Sequence, residues 1–254
     1  MSALEFITYI VLGATVGGFV GTIGVGGGAL MTPALIYLGM PVHIAVGTDL
    51  LYAGVTKTSG AIAHIRRQHV AWHPLLLMAT GSIPSALLTL LILSYVPLDG
   101  LTTAVPLILG LALITTGLAS LFLRSPPRER QEGTPVLLTM ASGMLLGFLV
   151  TLTSVGAGAI GAAILLMLFP SLSGACFVGT DLVHAVPLAM IGGLGYALYR
   201  YTDWRVLCAL LIGSIPAAQV GARMTGLVPG AVIKQIIAFL LLVVGGVTAT
   251  TALP

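Results

Sequence analysis

The chain has 254 residues, of which 57% are hydrophobic and only 7% charged, whereas a soluble domain carries about a quarter charged residues. That balance excludes a fold with water on every face. The formal net charge of +3 raises nucleic acid as a partner, but the arginines cluster beside apolar runs as positive-inside anchors do, and none is expected.

The first element expected is a spanning helix over Leu4 to Val20, since about 20 apolar helical residues cross a bilayer core. Its flank, Met1 to Glu5, carries neither Lys nor Arg, and no cleavage site precedes the next apolar segment, so it reads as retained rather than as a secretion signal. A glycine-rich break follows at Gly24 to Gly28, then a short apolar helix from about Ala29 to Gly39. A twelve-residue helix rises only about 18 Å, so this element is re-entrant or a half-helix. Three full spans follow, over His43 to Ile65, Pro74 to Tyr95 and Leu101 to Leu123.

Arg124 to Thr134, with Pro126 and Pro127, resembles a linker between residues 1–123 and 135–254. Beyond it the order recurs: a break at Gly156 to Gly158, a short helix from about Ala159 to Phe169, and spans that include Val206 to Met224 and Ala231 to Thr251. The runs are apolar all round, rich in Leu, Ala and Gly, and lack the alternation of barrel strands. The expected fold is an all-α integral membrane protein of two homologous repeats, each with a glycine-broken or re-entrant helix plus three spans, about eight to ten membrane helices in all.

The duplication rests on matched strings. A shift of 132 positions lays Val46-Gly47-Thr48-Asp49-Leu50 on Val178-Gly179-Thr180-Asp181-Leu182, Trp72 on Trp204, and Gly81-Ser82-Ile83-Pro84 on Gly213-Ser214-Ile215-Pro216. A shift of 130 lays Val25-Gly26-Gly27-Gly28-Ala29 on Val155-Gly156-Ala157-Gly158-Ala159. Four effective crossings per repeat would make the repeats parallel, and five would make them inverted. Loop charge does not choose between them.

Unpaired backbone inside a bilayer is tolerated only where protein or a water-filled cavity satisfies it. A helix starting at a glycine-rich break aims free N–H groups and a positive dipole end there, which suits an oxyanion. Gly26, Gly27, Gly28, Ala29, Gly156, Gly158 and Ala159 are therefore candidate substrate-binding positions. The alternative for such glycines is close helix contact of the GxxxG kind. A dinucleotide fingerprint is formally satisfied by Gly24 to Ala29 but follows a helix-length apolar run rather than a strand.

Ionisable groups within apolar runs are expensive and functional by default. Lys57 is the best fixed cation for an anion, with Thr48 and Thr180 as neutral donors and Asp49, Asp181 or His184 as carriers of a coupling proton. Asp49 and Lys57 are eight residues apart, about 12 Å along a straight helix, too far to pair. An Asp at a helix start can instead act as a cap, and a lysine can snorkel to an interface. The symmetry partner of Lys57 is Ala189 and that of His184 is Tyr52, so the two halves of this site are chemically unequal. His64, His69 and His73 border a basic loop with spacing too loose for zinc. Cys176 and Cys208 lack CxxC spacing, and neither metal nor cofactor is expected. No acid, base and nucleophile are assembled by the sequence, which argues against an enzyme.

The paired glycine-rich and Gly-Thr-Asp motifs, with His64 and Val70-Ala71-Trp72 downstream, resemble the sulfite exporter TauE/SafE family across nearly the whole chain. Gly47 to Leu51 running into Thr56-Lys57-Thr58, and Gly179 to Asp181 running into His184-Ala185-Val186-Pro187, carry the resemblance most closely. It implies a bacterial inner-membrane permease for sulfite, sulfonates or related sulfur anions, with the lipid bilayer and a small sulfur-containing anion as partners. A homo-oligomer is compatible with it. The first repeat departs from the family pattern in having Ala71 where the second has Asp203 before the motif tryptophan.

Overall fold

The computed structural model describes residues 2–23, 28–95, 101–122, 136–155, 159–169, 171–224 and 230–251. These fold into helices α1 (Ala3–Ile23), α2 (Gly28–Tyr37), α3 (Val42–Arg66), α4 (Trp72–Tyr95), α5 (Leu101–Phe122), α6 (Val136–Thr153), α7 (Ala159–Leu168), α8 (Gly174–Leu198), α9 (Trp204–Met224) and α10 (Gly230–Thr251). Long, short, long, long, long is the order in each half. The short helices α2 and α7 stand where a ten-residue element follows each glycine-rich segment.

Among the described residues, five helices or helix segments are long and apolar enough to cross a membrane: Ala3–Val20, Trp72–Tyr95, Val136–Thr153, Gly174–Leu198 and Trp204–Gly221. Helices α3, α5 and α10 were also expected to span and are not among them; α5 and α10 contribute shorter apolar stretches, Ala104–Thr115 and Leu241–Thr250, whereas α3 is as long as α8. Asp49, Lys57 and Arg66 interrupt the apolar run of α3. Its environment explains how it tolerates them. Leu76, Leu87, Leu88, Leu91 and Ile92 of α4 and Leu137, Leu138 and Leu145 of α6 point outward, while Thr48, Asp49, Lys57, Ser82, Thr180, Asp181 and His184 are buried. An apolar outside around a polar middle is the arrangement lipid favours and water opposes.

Helix α1 packs on α9, α4 on α6, α3 on α8 and α5 on α10. Exchanging α1–α5 with α6–α10 leaves this pairing unchanged. In the α3–α8 seam, Gly47 lies against Tyr196, Gly54 against Met190 and Gly60 against Leu182, so the two helices run antiparallel. Gly110 beside Ala249 and Gly117 beside Leu242 make α5 and α10 antiparallel as well. Helices that correspond under the 132-residue shift thus oppose each other wherever they pair.

The other two seams are parallel and rest on small residues. Gly13 and Gly17 of α1 bring it onto the backbone of Leu210 and Ser214, as Gly143 and Gly147 of α6 bring it onto Met78 and Ser82. A methyl at any of the four would strike main chain, which is how GxxxG pairs let helices approach in lipid. Connections are tight: α3 and α8 each end on a residue in the left-handed region, Gln68 at φ 59° and Arg200 at φ 62°. His69 N then donates to His64 O and Tyr201 N to Tyr196 O, both at 2.9 Å, satisfying the last carbonyls.

Candidate functional site

The antiparallel α3–α8 seam assembles the intramembrane ionisable residues. Asp49 stands two turns into α3 and is fully buried, and the Thr32 hydroxyl of α2 donates to its Oδ2. Ser154, the residue after α6, lies beside the same carboxylate, but neither its hydroxyl nor Asp49 Oδ1 closes a hydrogen bond. Asp49 is therefore no helix cap. Its neighbours come from α2 and from the end of α6, the two places that adjoin the glycine-rich segments.

Lys57 is 4% exposed and lies within electrostatic reach of Asp181 and then of Asp49. Helix α8 adds Asp181 and His184, both within electrostatic reach of Lys57 from the opposite half. Lys57 is enclosed here rather than reaching for an interface. Lys57 is thus within electrostatic reach of carboxylates from both halves.

His184 is held from a third direction. Ser82 Oγ of α4 and His184 Nε2 are 2.8 Å apart in the buried centre. The image of this pair under the 132-residue shift is Ser214 and Tyr52, which lie close together, yet neither hydroxyl closes a hydrogen bond. Ser82 and Thr32 were not singled out as site residues by the sequence. A serine inside a span that recurs in the copy was the available signal for Ser82, and nothing local distinguished Thr32.

Thr48 and Thr180 are occupied in a way the sequence did not foresee. Thr180 Oγ1 accepts from Ala71 N at 2.9 Å and donates to Cys176 O at 2.6 Å. Thr48 Oγ1 accepts from Asp203 N at 3.0 Å. Each threonine holds the backbone that starts α4 or α9 in the other half. The glycine before each makes room: a methyl on Gly47 would strike Tyr201 O, and one on Gly179 would strike His69 O.

Of the glycine-rich candidates, Gly26, Gly27, Gly156 and Gly158 lie outside the described residues. Gly28 and Ala159 begin α2 and α7, and Ala29 follows in the first turn of α2. A cavity of about 310 Å³ opens near the N-terminus of α3, lined by His43, Val46, Tyr196, Tyr199 and Tyr201 among others. It is apolar and aromatic, and the charged cluster around Lys57 is not part of its wall.

Residues 9–248 match the sulfite exporter TauE/SafE family, a stretch that reaches into every helix of the fold and takes in all of the clustered side chains. The chain belongs to that family. Among curated proteins, this TauE/SafE member is 35% identical to the probable membrane transporter protein YjnA of Bacillus subtilis, over 94% of this chain and 98% of that protein. It is 34% identical to the probable membrane transporter protein YdhB of the same organism, over 85% of this chain and 89% of that one. A probable membrane transporter protein of Xylella fastidiosa is 28% identical over 87% of this chain and 85% of its own length. No solved structure matches the chain. The TauE/SafE protein is thus a member of a membrane transporter family, with several helices able to span a bilayer.

Proposed function

We propose that this protein is a secondary transporter that carries a small sulfur oxyanion or organosulfur anion, sulfite or a sulfonate, across the bacterial cytoplasmic membrane. The observation that carries the reading is Lys57, a buried lysine on the α3–α8 seam within electrostatic reach of Asp181 and Asp49. A cation enclosed at that depth is the natural pole for an anion. Two carboxylates beside one ammonium leave an excess of negative charge that repels the same anion. A proton accepted by Asp49, Asp181 or His184 removes that excess, so anion and proton are expected to travel together. The backbone N–H groups of Gly26 to Ala29 and Gly156 to Ala159 complete the anion's hydrogen bonds in this reading.

Residues 1–123 and 135–254, joined by 124–134, act as inverted repeats that rock against each other around the α3–α8 seam. Purified protein in proteoliposomes, loaded to create an acid-outside gradient and offered sulfite or a simple sulfonate, should accumulate the anion against its concentration gradient. Flux that only ever runs downhill, indifferent to the pH gradient, would replace this mechanism with a uniporter. No flux of any sulfur anion would remove the substrate assignment.

A further inference from the structure

The Gly-Thr steps of the two halves sit at opposite ends of one antiparallel helix pair. Gly47 and Thr48 meet Tyr201 and Asp203 beyond the C-terminus of α8, and Gly179 and Thr180 meet His69 and Ala71 beyond the C-terminus of α3. Sixteen residues of α3 separate Thr48 from His64, which adjoins the second contact. At 1.5 Å per residue that is about 24 Å, most of the thickness of a hydrocarbon core. Asp49 and Lys57 lie between the two contacts.

We propose that these two contacts are the gates of the transport cycle, Thr48 latching one face of the membrane and Thr180 the other, each releasing while its counterpart holds. This rests on the transporter reading above. Three features favour gates over fixed packing. Each latch joins a helix of one half to a loop of the other, so it lies across a boundary that relative motion of the halves would shift. Each consists of one backbone N–H on one threonine hydroxyl over a glycine, a contact small enough to open at the cost of about one net hydrogen bond. The aromatic cavity of about 310 Å³ lies directly at the Thr48 latch, where Tyr201 belongs to both, and so forms the vestibule that this gate would open.

The test uses cysteine accessibility in membrane vesicles without substrate. Reporters Leu50→Cys and Leu182→Cys, placed just inside the respective latches, are built in a chain carrying Cys176→Ser and Cys208→Ser, and labelled with a membrane-impermeant maleimide from each side. Thr48→Val should raise labelling of the first reporter on the order of fivefold, the worth of one net hydrogen bond, and leave the second unchanged. Thr180→Val should do the reverse, from the opposite side. Thr48→Ser and Thr180→Ser keep the hydroxyl and should label as the parent does. If either valine variant fails to insert, Gly47→Ala and Gly179→Ala must show the same one-sided effect. Both reporters rising together, neither rising, or both latches responding from the same side would overturn the proposal. One-sided labelling without sulfite flux would leave the gates standing and remove the substrate; flux without one-sided labelling would do the opposite.

Discussion

The ends of the α3–α8 seam and its middle follow different rules. At the ends the two halves are near copies: glycine against a loop carbonyl, threonine under a backbone N–H, and a left-handed residue closing the helix that leads there. In the middle the copies part company. Lys57 has Ala189 as its image, and the hydrogen-bonded Ser82–His184 pair has as its image Ser214 and Tyr52, which close no bond. The difference teaches that the contacts at the ends of the seam recur in both halves, whereas the buried charge in its middle occurs once.

The middle should break first. Lys57→Met is expected to lower flux by about two orders of magnitude or more while insertion stays normal, because it leaves buried carboxylates without their counter-charge; flux within about threefold of the parent would take Lys57 out of the site. At the ends, Gly47→Ala and Gly179→Ala should each destabilise by about 1–3 kcal/mol through overpacking against a carbonyl. Their thermal midpoints in detergent should fall by similar amounts, and a large disparity would show that the two latches are not equivalent.

Ser82→Ala deprives His184 of its partner, and a fall in transport of about tenfold is expected from an unsatisfied buried ring nitrogen. Ser214→Ala, at the image position, should cost less than about twofold, and equal losses would erase the contrast between the halves. The smallest effect concerns the starts of α4 and α9. Asp203 Oδ1 accepts from Arg205 N at 2.9 Å and Val206 N at 3.1 Å, a cap that Ala71 cannot provide. Asp203→Ala should lower stability by about 1 kcal/mol and Ala71→Asp should raise it by up to about the same, read as opposite shifts in thermal midpoint.

Much of this protein was legible from its residues alone. Hydropathy is a local property, so 57% hydrophobic and 7% charged residues determined a membrane fold, and run lengths anticipated helices with a short one after each glycine-rich segment. Matched strings pointed to two halves, and the family followed from the motifs they share. The buried ionisable residues stood out because charge in an apolar run is expensive wherever the helix goes.

What hydropathy cannot encode is which face meets which, and that was left to the tertiary structure. The antiparallel course of α3 and α8 decided that Asp181 and His184 join Lys57 from the other half. It also made the hydroxyl oxygens of Thr48 and Thr180, expected to serve as substrate donors, acceptors for backbone N–H groups of the opposite half, and brought Thr32 and Ser82 to partners 17 and 102 residues away. A polar side chain in lipid must find a partner, but the sequence states only the need. The partner is fixed by how the helices cross.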